Sequence, residues 1–462
     1  MSGAAPGAVA IVGGGMLGMA LALRLAAQGR RVTVLEAAPS PGGLAVAHAI
    51  GGHVWDRFYH VVLPADAELH ALLADIGLAD ALCWRTTRTG FYAEGRLHSV
   101  SNSVEFLRFP YLGLVDKVRL AATMLYASRV KDWRRLEAIP VYDWLTRLSG
   151  RRTAERFWLP LLRSKLGENY RRTSASFIWA TIARLYGARR SGLKRELFGY
   201  VDGGYARVLA RLAEVLAARG VTLRCAAAVA EVRDVGDGVE VALAGGERLR
   251  FDDVVLTVPT TRAAVIATQF GEAERERLRG VTYQGIVCAS LLLRRPLADF
   301  YVTNIADASL PFTAVIEMTA LVDPARFGGQ ALVYLPRYVT QDDPLWQTDD
   351  AAVEARFVEG LGRMYPAFRP EDVVACRVAR AREVLALTTL HYSERCLPAV
   401  RTSLPRVFLV NSAQIAAGTL NVNETLRVAN AKAEELATLL HAAMPVTASA
   451  AARARAAAIP AA

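Results

Sequence analysis

Residues 8–36 have the sequence AVAIVGGGMLGMALALRLAAQGRRVTVLE, and this stretch decides the fold. The short apolar run at residues 8–12 is typical of a buried parallel strand. Residues 16–28 are mostly good helix formers, and Gly29, which follows them, is a residue type that commonly ends helices. A second strand is predicted at residues 31–35, so the stretch has the strand–helix–strand order of an α/β fold.

The glycines between the first strand and the helix have the spacing G-x-G-x-x-G. Gly13 permits a tight turn, Gly15 lets the backbone approach a pyrophosphate, and Gly18 lets the helix pack closely on the strand. The amides at the start of the helix would point at that pyrophosphate. Glu36 follows the second strand, about 20 residues after the glycines, where a carboxylate can accept hydrogen bonds from a ribose. The stretch therefore predicts a dinucleotide-binding site.

Two other interpretations of the glycine-rich stretch fit less well. A signal peptide carries positive charge before its apolar run, whereas here no charged side chain precedes the run and three consecutive glycines interrupt it. A membrane-spanning helix needs roughly 20 apolar residues, and the apolar stretch that begins at Ala8 already meets a charge at Arg24.

The bulk composition is that of a large globular protein. With 462 residues the chain exceeds the size at which one core stops growing, so two domains are expected. The five cysteines are scattered without a zinc or disulfide pattern, which favours a reducing, cytoplasmic location. The formal net charge of +11 favours anionic partners such as a phosphate-bearing cofactor or the inner face of an anionic membrane.

Further motifs identify the type of dinucleotide. Glu36 is followed by the pair Gly42-Gly43 and by HVWDRFYH at 53–60; later come GYVDGG at 199–204, FDDVVLTVP at 251–259, and a strand, loop and helix pattern at 406–436. Together with the glycine fingerprint, these blocks resemble the flavoprotein family that holds the flavin amine oxidases, protoporphyrinogen oxidases and phytoene desaturases. The resemblance implies an α/β fold: a Rossmann-like FAD-binding domain of the glutathione-reductase type, with an inserted mixed α+β substrate domain.

The resemblance also implies which residues bind FAD. In some relatives a cysteine motif links the flavin covalently; it is missing here, so non-covalent FAD is expected. Two positions depart from the family pattern: Leu44 stands where relatives often carry arginine, and Asn411 where many have the aspartate of a Gly-Asp pair. The backbone around Val229 would meet the adenine. The residues assigned to FAD are Gly13, Gly14, Gly15, Met16, Leu17, Gly18, Glu36, Ala37, Gly42, Gly43, Leu44, Val229, Asn411, Asn421 and Val422.

The same blocks divide the chain into domains. Residues 1–65, 199–269 and 396–445 are predicted to form a discontinuous FAD-binding domain. Residues 66–198, which are mainly helical, and 270–395 are predicted to form the substrate domain, and 446–462 a low-complexity tail.

Candidates for the flavin side of the active site lie after the glycine pair. Arg57, Tyr59 and His60 follow it where the family's chain returns past the flavin ring, although ordinary packing also explains them. Lys165 and Tyr392 are further candidates, and no catalytic residue is assigned. The three histidines at 48, 53 and 60 match no metal-binding spacing, so no metal site is expected.

Residues 106–135 contain a basic amphipathic helix with aromatic residues near both ends. Its apolar stripe consists of Leu114, Val118, Ala121, Ala122 and Leu125. This stripe either packs inside the substrate domain, with the arginines solvated, or contacts a membrane surface as a peripheral helix. Nucleic acid is not expected as a partner, because no binding motif accompanies the charge.

The predicted function is that of an FAD-dependent oxidoreductase. It would remove a hydride from a C–N or C–C unit of a small, apolar substrate, because the flavin supplies the chemistry and the protein supplies binding and orientation. The alternatives are a sugar-nucleotide mutase that uses reduced FAD, and a non-catalytic carrier of prenyl lipids on the same fold. The sequence leaves the substrate, the electron acceptor and the oligomeric state open.

Overall fold

The computed structural model describes residues 7–189 and 197–441, with the backbone alone for residues 185–189. The predicted tail at 446–462 lies outside these residues. Within them, the strands in chain order are β1 (Ala8–Val12), β2 (Arg31–Leu35), β3 (Ala47–Ile50), β4 (His53–Asp56), β5 (Leu82–Thr86), β6 (Thr89–Ala93), β7 (Arg96–Ser99), β8 (Leu197–Val201), β9 (Thr222–Arg224), β10 (Val229–Asp234), β11 (Val239–Leu243), β12 (Arg248–Phe251), β13 (Asp253–Leu256), β14 (Tyr283–Leu293), β15 (Val302–Ile305), β16 (Ala314–Glu317), β17 (Ala331–Val339), β18 (Val373–Ala386) and β19 (Val407–Leu409).

The helices of the same residues connect and cover these strands. In chain order they are α1 (Met16–Ala27), α2 (Ala67–Asp75), α3 (Ser103–Arg108), α4 (Leu114–Ala127), α5 (Val141–Ser149), α6 (Arg151–Thr153), α7 (Leu159–Leu166), α8 (Ala175–Arg189), α9 (Gly204–Ala218), α10 (Thr260–Ile266), α11 (Glu272–Arg279), α12 (Asp350–Met364), α13 (Tyr392–Arg395) and α14 (Val422–Leu439). None of the helices in the described part of the chain is both long and apolar enough to cross a bilayer.

A five-stranded parallel sheet, in the order β19-β13-β1-β2-β9, forms the first centre of the fold. Alternate residues of its strands point to opposite faces. On one face Val9 and Ile11 pack against apolar residues of α1, α9 and α14, and on the other Ala10 and Val12 pack against the three-stranded sheet β10-β11-β12 and α10. This three-layer arrangement confirms the predicted α/β, Rossmann-like fold.

A seven-stranded sheet, in the order β18-β14-β17-β16-β15-β6-β7, forms the second centre. Its neighbours are antiparallel except for the pair β15 and β6. One face carries α12, and the other packs against the β3–β4 hairpin that follows the glycine pair. The hairpin therefore brings the glycine-rich loops next to this sheet. The proposed domain boundaries stay a prediction.

The helices between β7 and β8 form a further apolar cluster that includes Leu120, Trp144 and Leu162. In α4 the apolar stripe predicted from the sequence does not take part in it: Leu114 and Val118 are exposed, whereas Leu120 and Ala127 on the other side of the helix are buried. The interpretation that this stripe packs inside the protein is therefore wrong.

Candidate functional site

The glycine loop between β1 and α1 is held tightly at its base. The Thr257 hydroxyl donates to the carbonyls of Val12 and Gly13 at 3.0 and 2.9 Å. Gly13 has φ +115°, which favours glycine, and a Cβ at Gly18 would lie 2.0 Å from the Gly13 carbonyl oxygen. The close packing of helix on strand thus requires glycine at both positions.

Gly15 lies at the open side of the same loop. Its φ is −69°, and the nearest atom to a Cβ built there is the Gly43 Cα at 3.9 Å. Gly15 is also the N-cap of α1 and provides no side-chain hydrogen bond to the helix. The first amides of α1 therefore receive no hydrogen bond from a capping side chain.

The second glycine element, Gly42-Gly43, packs directly against this loop. The Gly42 amide donates to the Gly14 carbonyl at 2.8 Å, and Gly15 and Gly42 form an isolated parallel bridge. A Cβ at Gly43 would lie 3.2 Å from the Gly15 Cα. Two glycine-rich loops, separated in the chain by α1 and β2, thus lie in direct backbone contact at the start of α1.

Glu36 lies beside the loop at the end of β2. Its carboxylate accepts from the Gly14 amide at 2.6 Å and from the Ala38 amide at 2.8 Å. The Ala227 amide donates to the Glu36 carbonyl at 2.8 Å, which brings the start of β10 next to Glu36. At that start the Val229 carbonyl accepts from Arg262 at 2.9 Å. The structure therefore brings together the fingerprint, the acid and the segment predicted to meet the adenine, and Ala37 is exposed beside them.

Arg57 is the charged side chain at the glycine pair. Its Nη2 donates to the Gly43 carbonyl at 3.1 Å, while its buried Nε has no protein partner. Burial lowers the pKa of the Arg57 guanidinium. A buried donor without a partner is rare in proteins, so this nitrogen points to a group that the protein chain does not itself supply.

The residues predicted from the C-terminal block are largely engaged within the protein. Asn411 is buried; its Oδ1 accepts from the Ala413 amide at 3.1 Å, and its Nδ2 donates to the Val258 carbonyl at 2.8 Å. Asn421 is the N-cap of α14 and accepts from the Glu424 amide at 3.0 Å. Val422 begins α14, so its amide belongs to the first turn, where helices leave amides unpaired.

Tyr59 takes part in a short polar chain that the sequence does not reveal. Its hydroxyl lies 2.9 Å from the hydroxyl of Tyr338 in β17, and Lys165 of α7 donates to the same Tyr338 oxygen at 2.6 Å. Burial, reinforced by Tyr338, raises the pKa of Tyr59 well above its usual value, so Tyr59 stays protonated. Leu44 packs half-buried in the same apolar cluster as both tyrosines.

His60, the neighbour of Tyr59 in the chain, lies in different surroundings. Its Nδ1 is 3.6 Å from a carboxylate oxygen of the buried Asp56, and its ring packs 4.7 Å from that of Tyr205. These residues and Trp55 line a closed cavity of about 10 Å³, large enough for one water. The structure thus separates the three candidates, with Arg57 at the glycine pair, Tyr59 at the seven-stranded sheet and His60 in this cavity.

Sequence reasoning missed Tyr338 and Thr257. The alternation of residue types in β17 was an available signal for Tyr338, because period two places Tyr334 and Tyr338 on one face of the strand. For Thr257 no local signal existed. Tyr392 is buried, and its hydroxyl donates to the Ala413 carbonyl at 2.7 Å, so it holds the loop after β19. Within the described residues no cluster of three or more histidine, cysteine or acidic side chains is placed to hold a metal.

The family model described as flavin containing amine oxidoreductase matches residues 17–426. The chain belongs to this family. Coproporphyrinogen III oxidase of Mycobacterium tuberculosis is 26% identical over 279 residues, which cover 56% of this chain and 60% of that protein. The match thus spans less than two thirds of the relative's length.

Solved structures share the fold of this flavin amine oxidoreductase family member. A candidate protoporphyrinogen oxidase from Exiguobacterium sp. 255-15 has a TM-score of 0.74 at 17% identity, with 95% of this chain and 99% of that chain covered. A putrescine oxidase variant has a TM-score of 0.72 at 19% identity, with 94% and 99% covered. Membership of the family implies a flavin cofactor. The glycines at 15 and 43, which keep side chains away from the start of α1, the uncapped start itself and the unpaired Nε of Arg57 fit such a phosphate-bearing group.

Proposed function

We propose that this protein is an FAD-dependent oxidoreductase that holds FAD without a covalent bond. One observation carries the proposal: the glycine pair Gly42-Gly43 packs directly on Gly15 at the uncapped start of α1, and the Glu36 carboxylate binds the neighbouring Gly14 amide. A pyrophosphate bound at this helix start would accept hydrogen bonds from the α1 amides. The carboxylate of Glu36 accepts hydrogen bonds from the adenine-side ribose.

Further contacts with FAD are proposed at Arg57 and at the start of α14. Arg57 offers its charge and its unpaired Nε beside Gly43. The first amides of α14, beginning at Val422, would donate hydrogen bonds to the part of FAD that reaches this helix start. Residues 1–65, 199–269 and 396–445 are assigned to the FAD-binding domain, and 66–198 with 270–395 to the substrate domain.

The substrate is proposed to lie beside the cluster of Leu44, Tyr59 and Tyr338. A bound flavin would supply the hydride acceptor for oxidation of a C–N or C–C unit of the substrate. The cluster supplies apolar surface and a protonated phenol, and Lys165 supplies a positive charge at its edge. This combination supports a substrate that is mostly apolar. The relatives are named for coproporphyrinogen III and putrescine, and the family match gives no support to the mutase and carrier alternatives.

The first experiment is the visible absorbance spectrum of the purified protein before and after acid denaturation. The proposal expects a two-banded flavin spectrum, with all of the flavin in the supernatant after precipitation. Flavin retained in the pellet would contradict the non-covalent assignment. A colourless protein that takes up no added FAD would contradict the whole proposal.

A pair of glutamate variants localises the flavin. Glu36→Ala removes the proposed ribose acceptor and should lower the flavin content, whereas Glu276→Ala, on the exposed side of α11, should leave it unchanged. Equal flavin content in the two variants would reject the role of Glu36.

Anaerobic addition of a porphyrinogen and of a diamine then tests the substrate class, because a substrate bleaches the flavin absorbance.

A further inference from the structure

Helices α3 and α4 both present apolar side chains to solvent. The exposed fractions are 56% for Val104, 60% for Leu107, 71% for Leu114, 65% for Val115 and 62% for Val118. The surface, called here the outward apolar face, consists of Val104, Leu107, Leu114, Val115, Val118, Ala121, Ala122, Leu125 and Tyr126. Soluble proteins seldom expose apolar residues in such contiguous groups unless the group contacts a partner.

Polar contacts on the inner side fix this orientation of α4. The Lys117 ammonium is buried and donates to the Leu107 carbonyl at 2.6 Å. The Asp116 carboxylate is buried as well and accepts from the Gly113 amide at 3.1 Å and from the Thr153 hydroxyl at 3.0 Å. If α4 were rotated so that its apolar stripe pointed inward, the side chains of Asp116 and Lys117 would face water, which competes for their hydrogen bonds. Leu114 would be buried instead. The sequence thus encodes an α4 that keeps charged groups inside and aliphatic groups outside.

The charges around the outward apolar face are mostly positive. The exposed basic side chains of residues 104–135 are Arg108, Arg119, Arg129, Lys131, Arg134 and Arg135. The acidic groups of the same segment are engaged: Glu105 accepts from the Ser101 amide at 2.9 Å, and Asp132 pairs with Arg135 at 2.8 Å. An aliphatic surface bordered by lysine and arginine is the combination that binds the interface of an anionic bilayer.

We propose that the outward apolar face rests on the surface of an anionic lipid bilayer. Leu114, Val115 and Val118 enter the headgroup region, and the surrounding arginines and lysine contact lipid phosphates. The charges argue for lipid over a second copy of this chain, because a two-fold contact through this face would bring the same cations together. The proposal is independent of the flavin chemistry proposed above.

Cosedimentation of the whole protein with lipid vesicles tests the proposal. Vesicles of phosphatidylcholine with phosphatidylglycerol should bind the protein, and vesicles of phosphatidylcholine alone should bind it about tenfold more weakly or worse. High salt should weaken the binding, because salt screens exposed charges. Leu114→Asp combined with Val118→Asp should weaken it by about tenfold or more, since two aliphatic anchors become anions.

Matched variants keep the test decisive. Val265→Asp changes a valine of similar exposure, 55%, in α10, away from the outward apolar face, and should leave vesicle binding unchanged. Arg129→Glu combined with Lys131→Glu should abolish the preference for anionic vesicles. The flavin spectrum of every variant reports folding and the cofactor site separately. The proposal is overturned if the protein binds neither kind of vesicle, if the double aspartate variant binds as well as wild type, or if sedimentation shows a dimer that this variant disrupts.

Discussion

The hydroxyl groups of Tyr59 and Tyr338 lie 2.9 Å apart, across the boundary between the glycine-pair segment and the seven-stranded sheet. Lys165 donates to the same Tyr338 oxygen. The Tyr338 oxygen thus hydrogen-bonds residues from two other, distant parts of the chain. This contact joins the glycine-pair segment to the seven-stranded sheet.

Tyr338→Phe should lower the free energy of unfolding by about 1–2 kcal/mol, because it leaves Lys165 and Tyr59 without their common partner. Tyr59→Phe should then cost less in the Tyr338→Phe background than in wild type. Urea denaturation of the two single variants and the double variant measures this coupling. Tyr126→Phe, whose ring is exposed, serves as the control. Strictly additive losses would show that the Tyr59–Tyr338 contact carries no energy.

Gly15→Ala should separate folding from cofactor binding. Alanine accepts the backbone conformation of Gly15, and its Cβ would meet no protein atom closer than 3.9 Å. The same Cβ would stand at the helix start where the pyrophosphate is proposed to bind, so flavin affinity should fall by about tenfold or more, which is about 1.4 kcal/mol. Titration of the apoprotein with FAD, followed by flavin fluorescence, measures the affinity.

The control for Gly15→Ala is Gly362→Ala in α12, where a Cβ would meet no atom within 4 Å. This variant should bind FAD as wild type does. If both alanine variants bind FAD equally well, the pyrophosphate does not lie at Gly15.

Asn411→Asp, the change towards the family pattern, should destabilise this protein by about 1–3 kcal/mol. The Asn411 amide donates to the Val258 carbonyl at 2.8 Å, and a carboxylate there would place two acceptors against each other. The loss should shrink at acid pH, where the new carboxyl group regains a proton to donate. Urea unfolding at two pH values measures both effects.

Asn423→Asp is the matched control, because the Asn423 Oδ1 accepts from the amides of Glu68 and Leu69. Aspartate keeps that acceptor, so the control should retain stability. An Asn411→Asp variant as stable as this control would mean that the Val258 contact does not explain the asparagine.

Glu317 gives a prediction of pH dependence. Its side chain is buried at the end of β16 and accepts from the amides of Leu297 and Ala298, and burial raises its pKa to about 7. The folded state therefore holds a proton that the unfolded chain releases near pH 4.5. The stability contributed by this group is complete below about pH 4.5 and is lost as the pH rises to about 7.

Glu317→Gln removes this titration. The free energy of unfolding of wild type, relative to that of the variant, should fall by about 3 kcal/mol between pH 4.5 and pH 8. Thermal or urea unfolding of both proteins over this range measures the difference, in which the other titrating groups cancel. A difference that stays constant with pH would place the pKa of Glu317 at its ordinary value.

Local patterns predicted the first part of the fold closely. The expected strand at 8–12, the helix from residue 16 and the strand at 31–35 are present, because each depends on residues close in the chain. The glycine spacing also placed the turn of Gly13 and the contact of Gly18 with the strand, since these are requirements of short-range geometry.

What the sequence could not predict depends on distant contacts. The periodicity of α4 identified an apolar stripe, but the bonds of Lys117 and Asp116 decide which side faces inward. Asn411 is engaged by Val258, and Tyr59 by Tyr338, residues that no local pattern connects. Whether a polar side chain is buried, and which partner it then binds, depends on how the layers assemble. Neither can be inferred from the residue and its neighbours in the chain.

The strand order β19-β13-β1-β2-β9 has a consequence for how the chain is made. β1 leaves the ribosome well before one of its two neighbours, β13, which begins at Asp253, and before the edge strand β19, which begins at Val407. Helix α1 is likewise synthesised before α14, which packs against it in the folded core. The apolar strand β1 is thus synthesised long before several of the partners that cover it. We expect slowing or pausing of synthesis before β13 to favour aggregation over folding, because the apolar segment then stays exposed for longer.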